Sequence, residues 1–183
     1  MALLTLALYL LCGGTAVFGA EVRITTPQGL INFSNSVNNG TTYSGTTVFL
    51  SSDIDLSGKT FEPIGNFLGV FDAQGYIISN LIMKTSIQCV GIFGVMRGST
   101  IKNVVVDSSC SFASSWSGSS AAYIGGIVSY CATKNSQCLI ENSVNMATIS
   151  FNGVLSIDKA DVHIGGIAGV LSCSQNYNFV IEP

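Results

Sequence analysis

The sequence predicts an all-β protein built as a parallel β-helix-like solenoid. Short segments rich in Ile, Val and Phe are bounded by Gly or Asn, and similar segments recur along the chain. Apolar and polar residues alternate from Val48 to Leu56, which is typical of a half-buried strand. No stretch after Ala20 combines good helix formers with helical spacing over ten residues, so no helix is predicted.

The composition excludes several classes of protein. The chain has 183 residues, of which 48% are hydrophobic, so it has enough apolar surface to form a buried core. Only 9% of the residues are charged, which argues against a coiled coil or a helical protein with many ion pairs. The formal net charge of −3 argues against nucleic-acid binding.

The N-terminal residues predict export from the cell. An uncharged segment contains the apolar run Leu3–Leu11 and small residues after it, so residues 1–19 are predicted as a signal peptide cleaved after Gly19. The alternative is an uncleaved signal anchor, and a membrane link is expected only through such an anchor or through a missing C-terminal anchor. Residues 20–46 are then a lead-in or capping segment, and residues 47–183 form the solenoid.

Two short motifs recur along the chain. One is a glycine followed by apolar residues, and the other is a short segment that begins with isoleucine and ends in asparagine. Glycine would permit a positive φ or a close backbone approach at a corner, and asparagine tolerates the left-handed conformation there. The isoleucines after three of the glycines are expected to stack on one another, and the asparagines could form a ladder. The predicted structural repeat residues are Gly69, Gly91, Gly126 and Gly166, then Ile92, Ile127 and Ile167, and finally Asn80, Asn103 and Asn142.

These motifs resemble GLUG-motif repeat proteins from Thr47 to the C-terminus. The resemblance rests on Asp53–Gly58, Pro63–Gly65, Phe71–Tyr76, Ile78–Leu81 and the later Gly-Gly-Ile units. It implies a right-handed parallel β-helix in a secreted or surface protein, often an adhesin. Ala73 and Ser129 replace glycines that are usual in the family, which affects the expected local turns.

The C-terminus is predicted to be incomplete. Ile181-Glu182-Pro183 follows Gly166 at nearly the spacing at which Ile140-Glu141-Asn142 follows Gly126, so Pro183 falls where an Asn turn is expected. Solenoids need polar caps at their ends. The chain is therefore interpreted as a fragment of a longer repeat protein.

Export changes how the cysteines and sequons are interpreted. In an oxidising compartment Cys131 could pair with Cys138, and Cys89 with Cys110; the alternative is that all four are buried thiols. No CxxC or Cys/His zinc pattern occurs, so neither a metal nor another cofactor is predicted. Asn32 and Asn39 begin glycosylation sequons.

Few residues are candidates for catalysis. Asp53 and Asp55 would project from one face of a strand about 7 Å apart, a separation that glycosidases use and that could also suit Ca²⁺. Asp72 is expected to cap a turn, and the single histidine, His163, to be a half-exposed strand residue. Trp116 lies in a small-residue insertion, where it either contacts a partner or covers the solenoid.

The sequence thus predicts a non-catalytic secreted or cell-surface repeat domain, used for adhesion or as a spacer. Its partner would be an extracellular protein or glycan that the sequence does not identify. The alternative is a fragment of a carbohydrate-active β-helix enzyme, either a polysaccharide lyase or a glycosidase.

Overall fold

The computed structural model describes residues 19–133, 138–155, 161–173 and 180–182. The predicted signal segment before Gly19 and the predicted turn at Pro183 lie outside these residues. Within them the chain forms one helix, α1 (Pro27–Asn38), and the strands β1–β21. The first eleven strands are β1 (Ala20–Ile24), β2 (Thr46–Leu50), β3 (Ile54–Asp55), β4 (Val70–Asp72), β5 (Ile77–Ser79), β6 (Ile82–Thr85), β7 (Cys89–Val90), β8 (Phe93–Met96), β9 (Thr100–Lys102), β10 (Val105–Val106) and β11 (Ser111–Ser114). The others are β12 (Ser117–Gly118), β13 (Ala122–Gly125), β14 (Val128–Thr133), β15 (Leu139–Glu141), β16 (Val144–Asn145), β17 (Thr148–Phe151), β18 (Val154–Leu155), β19 (Val162–Gly165), β20 (Ala168–Cys173) and β21 (Val180–Glu182).

The strands stack in parallel from one coil to the next, as the sequence predicts for a solenoid. The longest sheet has the order β1-β2-β4-β9-β15-β21, so each turn of the chain adds one strand to it. All strand pairs among the described residues are parallel. The protein is therefore an all-β, parallel β-helix-like solenoid.

Columns of apolar side chains fill the interior. In the longest sheet one register column contains Val22, Val48, Phe71, Ile101 and Ile140. Its central residues are almost completely buried, because alternate residues of each strand point inward and meet their counterparts one coil away. The core is thus a set of continuous apolar columns that run from coil to coil.

The predicted isoleucine column is confirmed. The Phe93 N–H donates to the Ile127 carbonyl at 2.8 Å, and the Ile127 N–H donates to the Ile167 carbonyl at 3.1 Å, so Ile92, Ile127 and Ile167 occupy equivalent places in successive coils. Ile92 and Ile127 have no exposed surface, while Ile167 is half-buried against the core. The stacking of Gly-apolar units therefore occurs as the repeats indicate.

The expectation that no helix follows Ala20 is wrong. Thr26 caps α1, and its hydroxyl accepts a hydrogen bond from the Gly29 N–H at 3.0 Å. Pro27 occupies the first turn, where a backbone N–H would have no partner within the helix, so the missing N–H of proline costs no hydrogen bond. Leu30, Phe33 and Val37 form the buried face of α1. Burial of this face against the core stabilises a helix that contains few strong helix formers.

Two of the predicted repeat positions belong to other sides of the coil. Gly69 precedes β4, and its carbonyl accepts from the Thr100 N–H, so its counterpart is Ser99 and not Gly91. Asn80 follows β5, whose partner in the next coil is β10, whereas Asn103 follows β9. The predicted alignment of these two residues with the later repeats is wrong, because an apolar strand ending in a turn residue occurs at more than one corner of each coil.

Candidate binding surface

The exposed carboxylates of Asp53 and Asp55 accept hydrogen bonds that stabilise neighbouring turns. Asp53 Oδ1 accepts a hydrogen bond from the Ile77 N–H at 2.8 Å. Asp55 Oδ1 accepts from the Asn80 amide at 3.0 Å and from the Ser57 N–H at 2.9 Å. The hydrogen bond from Asn80, together with those from Ser57, lowers the pKa of Asp55. Both carboxylates therefore have partners within the scaffold.

Asp72 is the buried member of the predicted acidic set. Its Oδ1 accepts from the Gln74 N–H at 2.9 Å, which confirms the predicted turn-capping role. The same oxygen accepts from the Asn103 amide at 2.7 Å, and Oδ2 lies 3.4 Å from Lys102 Nζ. The carboxylate thus links two coils at one corner.

The asparagine ladder exists, with Asp72 at its end. Asn142 donates from Nδ2 to Asn103 Oδ1 at 2.7 Å, and Asn103 donates to Asp72. Asn80, Asn103 and Asn142 have φ values of 56°, 56° and 44°, so the predicted left-handed conformation is confirmed for all three. Asn80 does not join this ladder, because it turns the chain at the neighbouring corner and pairs with Asp55.

Replacing Asn103 tests the ladder. We expect Asn103→Ala to lower the free energy of unfolding by about 2–3 kcal/mol, because alanine is strained at positive φ and both amide hydrogen bonds are lost. Asn103→Gly should cost about 1–2 kcal/mol, since glycine relieves only the strain. Urea denaturation provides the measurement. Asn152→Ala, an exposed asparagine with no side-chain hydrogen bond in the described part of the chain, is the control, and an equal loss there would contradict the ladder's role.

The predicted repeat glycines were expected to allow either a positive φ or a close approach of backbones. The structure shows close approach at some of these positions and a positive φ at none of them. A Cβ on Gly91 would lie 2.8 Å from the Gly125 carbonyl oxygen, and one on Gly126 would overlap the Asn145 side chain. None of the four predicted glycines has a positive φ, and Gly166 has neither a positive φ nor an atom near the position of a Cβ. Among the glycines of these Gly-apolar corners, the tightest positions are Gly125 and Gly165, each directly before a predicted repeat glycine.

The described cysteines Cys89, Cys110, Cys131 and Cys138 are thiols in the structure. The Cys110 thiol contacts the backbone of Ile78 and Leu81, and burial raises its pKa. Cys89 pairs in register with Tyr123 on another side of the coil, so the structure does not bring the predicted pair Cys89 and Cys110 together. Cys131 and Cys138 do lie together.

The aromatic candidates pack on the scaffold. His163 stacks on Tyr123, its register partner one coil away, with ring centroids 5.3 Å apart. It is the half-exposed strand histidine that the sequence predicts. The Trp116 indole N–H donates to the Ser120 carbonyl at 3.1 Å, and its ring lies against Gly118. Both contacts of the Trp116 side chain are with its own insertion.

Both predicted glycosylation positions are on the surface. Asn32 lies on the exposed face of α1, and Asn39 ends the helix. The hydroxyl-bearing residues of the two sequons differ, because Ser34 is buried and donates to the Glu62 carbonyl, whereas Thr41 is exposed. The Asn39 sequon is therefore the more accessible of the two in the folded protein.

A groove of about 640 Å³, here called the β6 groove, lies between β6 and the preceding coil. Its lining includes the charged and large apolar residues Lys59, Phe61, Glu62, Ile82, Lys84 and Ile87. Ile82 and Ile87 are 54% and 41% exposed, so two large apolar side chains of the groove are open to solvent. The groove thus combines exposed apolar contacts with charged side chains.

One wall of the groove is the free edge of a sheet. β6 is the last strand of the order β17-β11-β6. The carbonyls of Leu81 and Thr85 accept from β11 and the residue after it, so the alternate backbone groups, those of Ile82 and Lys84, face away from β11. Such an edge can pair with another extended chain. No local sequence pattern marks this groove, because its walls come from different coils.

The described residues contain no group of three or more His, Cys, Asp and Glu side chains placed to bind a metal ion. Among the same residues, no helix has the length and apolarity required to cross a bilayer. The chain matches no family model, no curated protein and no solved structure.

Proposed function

We propose that the protein is a non-catalytic, secreted or cell-surface repeat domain that binds an extracellular partner through the β6 groove. The observation that carries this proposal is the pairing of exposed Ile82 and Ile87 with a free strand edge in one groove. Exposed apolar side chains in a concave site are characteristic of binding surfaces.

The chemistry of the groove favours an extended protein segment over a glycan. Backbone groups of an edge strand bind an added strand, and neighbouring apolar side chains select its residues. Lys59 and Lys84 have no carboxylate partner within salt-bridge distance among the described residues, so they are free to attract an acidic segment. The GLUG-like motifs and the apolar N-terminal segment support the surface location.

The roles of the aspartates also support binding. Asp53, Asp55 and Asp72 stabilise turns and do not line the β6 groove, where Glu62 is the carboxylate. Hydrolysis of a glycoside generally uses two carboxyl groups on either side of the scissile bond. The alternative proposal, a fragment of a carbohydrate-active enzyme, would therefore require a second carboxyl group close to that of Glu62 in the groove.

A matched pair of isoleucine variants tests the groove. Fluorescently labelled full chain is added to cultured epithelial cells, and the retained protein is measured by flow cytometry. We expect Ile82→Asp to reduce binding about tenfold, because it places a charge in an apolar contact. Ile77→Asp changes an isoleucine that is 39% exposed on β5 and outside the groove, so its binding should match that of the wild type.

Treatment of the cells identifies the class of partner. Protease treatment should abolish binding, while a mixture of glycosidases should leave it intact. The reverse pattern would favour a glycan. Equal losses for the two isoleucine variants would contradict the role of the groove, and release of reducing sugar from a polysaccharide panel would favour the enzyme.

A further inference from the structure

Cys131 and Cys138 meet at one corner of the solenoid. Cys131 lies in β14, where its register partner in the preceding coil is Met96. Cys138 directly precedes β15, and its Sγ accepts a hydrogen bond from the Gly98 N–H at 3.1 Å. Both cysteines therefore lie beside the same short segment, Met96–Gly98.

The two thiols contact each other in the core. Cys131 and Cys138 are 0% and 1% exposed. The neighbouring Cys131 thiol, together with the N–H groups of Gly98 and Ser99, lowers the pKa of Cys138 in spite of its burial, while Cys138 and burial raise the pKa of Cys131.

We propose that Cys131 and Cys138 form a disulfide when the chain folds in the presence of a disulfide oxidant. The thiolate of one cysteine attacks one sulfur of the oxidant, which releases a thiolate and leaves a mixed disulfide. The other cysteine then loses its proton and attacks the protein sulfur of the mixed disulfide, which expels the second thiolate of the oxidant. Two protein thiols have been oxidised and one oxidant disulfide has been reduced to two thiols.

Two other cysteines, Cys110 and Cys89, have different neighbours. Cys110 donates to the Ile78 carbonyl at 3.4 Å, and Cys89 is placed near Ser129. Because the reacting pair is buried in the folded chain, the bond forms during folding, before the corner closes. It closes a short loop and so restricts the unfolded chain at this corner. The proposal is independent of the partner proposed for the β6 groove.

Oxidative refolding tests the disulfide directly. The full chain is denatured and reduced, refolded with mixed oxidised and reduced glutathione, blocked with iodoacetamide and digested with trypsin. Cleavage after Lys134 places Cys131 and Cys138 in different tryptic peptides, so a disulfide between them links two peptides that are otherwise detected separately. We expect mass spectrometry to find these peptides joined, and reductant to separate them.

Two variants identify the cysteine involved, since Cys110 and Cys131 share a tryptic peptide. The Cys110→Ser variant should keep the linkage, and Cys131→Ser should lose it. The wild-type map remains informative even if Cys131→Ser fails to fold. The proposal is overturned if Cys131 and Cys138 are each alkylated after oxidative refolding, or if the linkage disappears in Cys110→Ser.

Discussion

Replacing Phe71 by alanine is expected to lower the free energy of unfolding by about 3–5 kcal/mol. Phe71 has no exposed surface and occupies the middle of the longest core column. Its ring stacks on Phe33 of α1 with centroids 6.0 Å apart, and it meets Phe93 edge-on at 5.2 Å. The substitution therefore leaves a cavity where the helix, β4 and β8 pack together.

Phe49→Ala is the matched control for Phe71→Ala. Phe49 lies on the adjacent strand β2 but is half-buried on the other face, beneath the Arg23 guanidinium at 5.0 Å. Its loss should cost about 1 kcal/mol, because little apolar surface returns to water. Urea denaturation followed by circular dichroism measures both variants. If both substitutions lower the free energy of unfolding by the same amount, Phe71 is not a central member of the core.

Gly125→Ala is expected to destabilise the protein by about 3 kcal/mol or more. A Cβ at this position would overlap the Val128 carbonyl oxygen and lie 2.8 Å from the Gly169 amide nitrogen. Both are backbone atoms, so the clash cannot be relieved by turning a side chain. The corner between β13 and β14 must move, and the register with the next coil is disturbed.

Gly166→Ala separates this steric effect from the general effect of replacing glycine. Gly166 lies at the same corner one coil later, next to Gly165, the register partner of Gly125. It has no atom within 4 Å of its Cβ position and no positive φ. Alanine should leave the stability unchanged or raise it by up to about 1 kcal/mol, because it restricts the unfolded chain. Thermal unfolding of the two variants is the comparison. Equal destabilisation would show that backbone contact at Gly125 is not the cause.

Local patterns in the sequence correctly predicted the strands and their stacking. The Gly-apolar units that contain Ile92, Ile127 and Ile167 identify successive coils, because each coil must place equivalent side chains in one shared column. The left-handed corners at Asn103 and Asn142 were also predictable, since that conformation depends on the residue itself. For α1, Thr26 and Pro27 were available as signals, but the burial that stabilises the helix was not.

The sequence by itself determined the class of fold, because β-propensity, turn preference and apolar spacing act over a few residues. Only the tertiary structure decided which corner holds Asn80, which glycines lie against backbone atoms, and which cysteines meet. It also decided that β6 is the edge of its sheet, beside a groove. These features depend on the register between coils, which arises from hydrogen bonds and packing between residues that are distant in the chain.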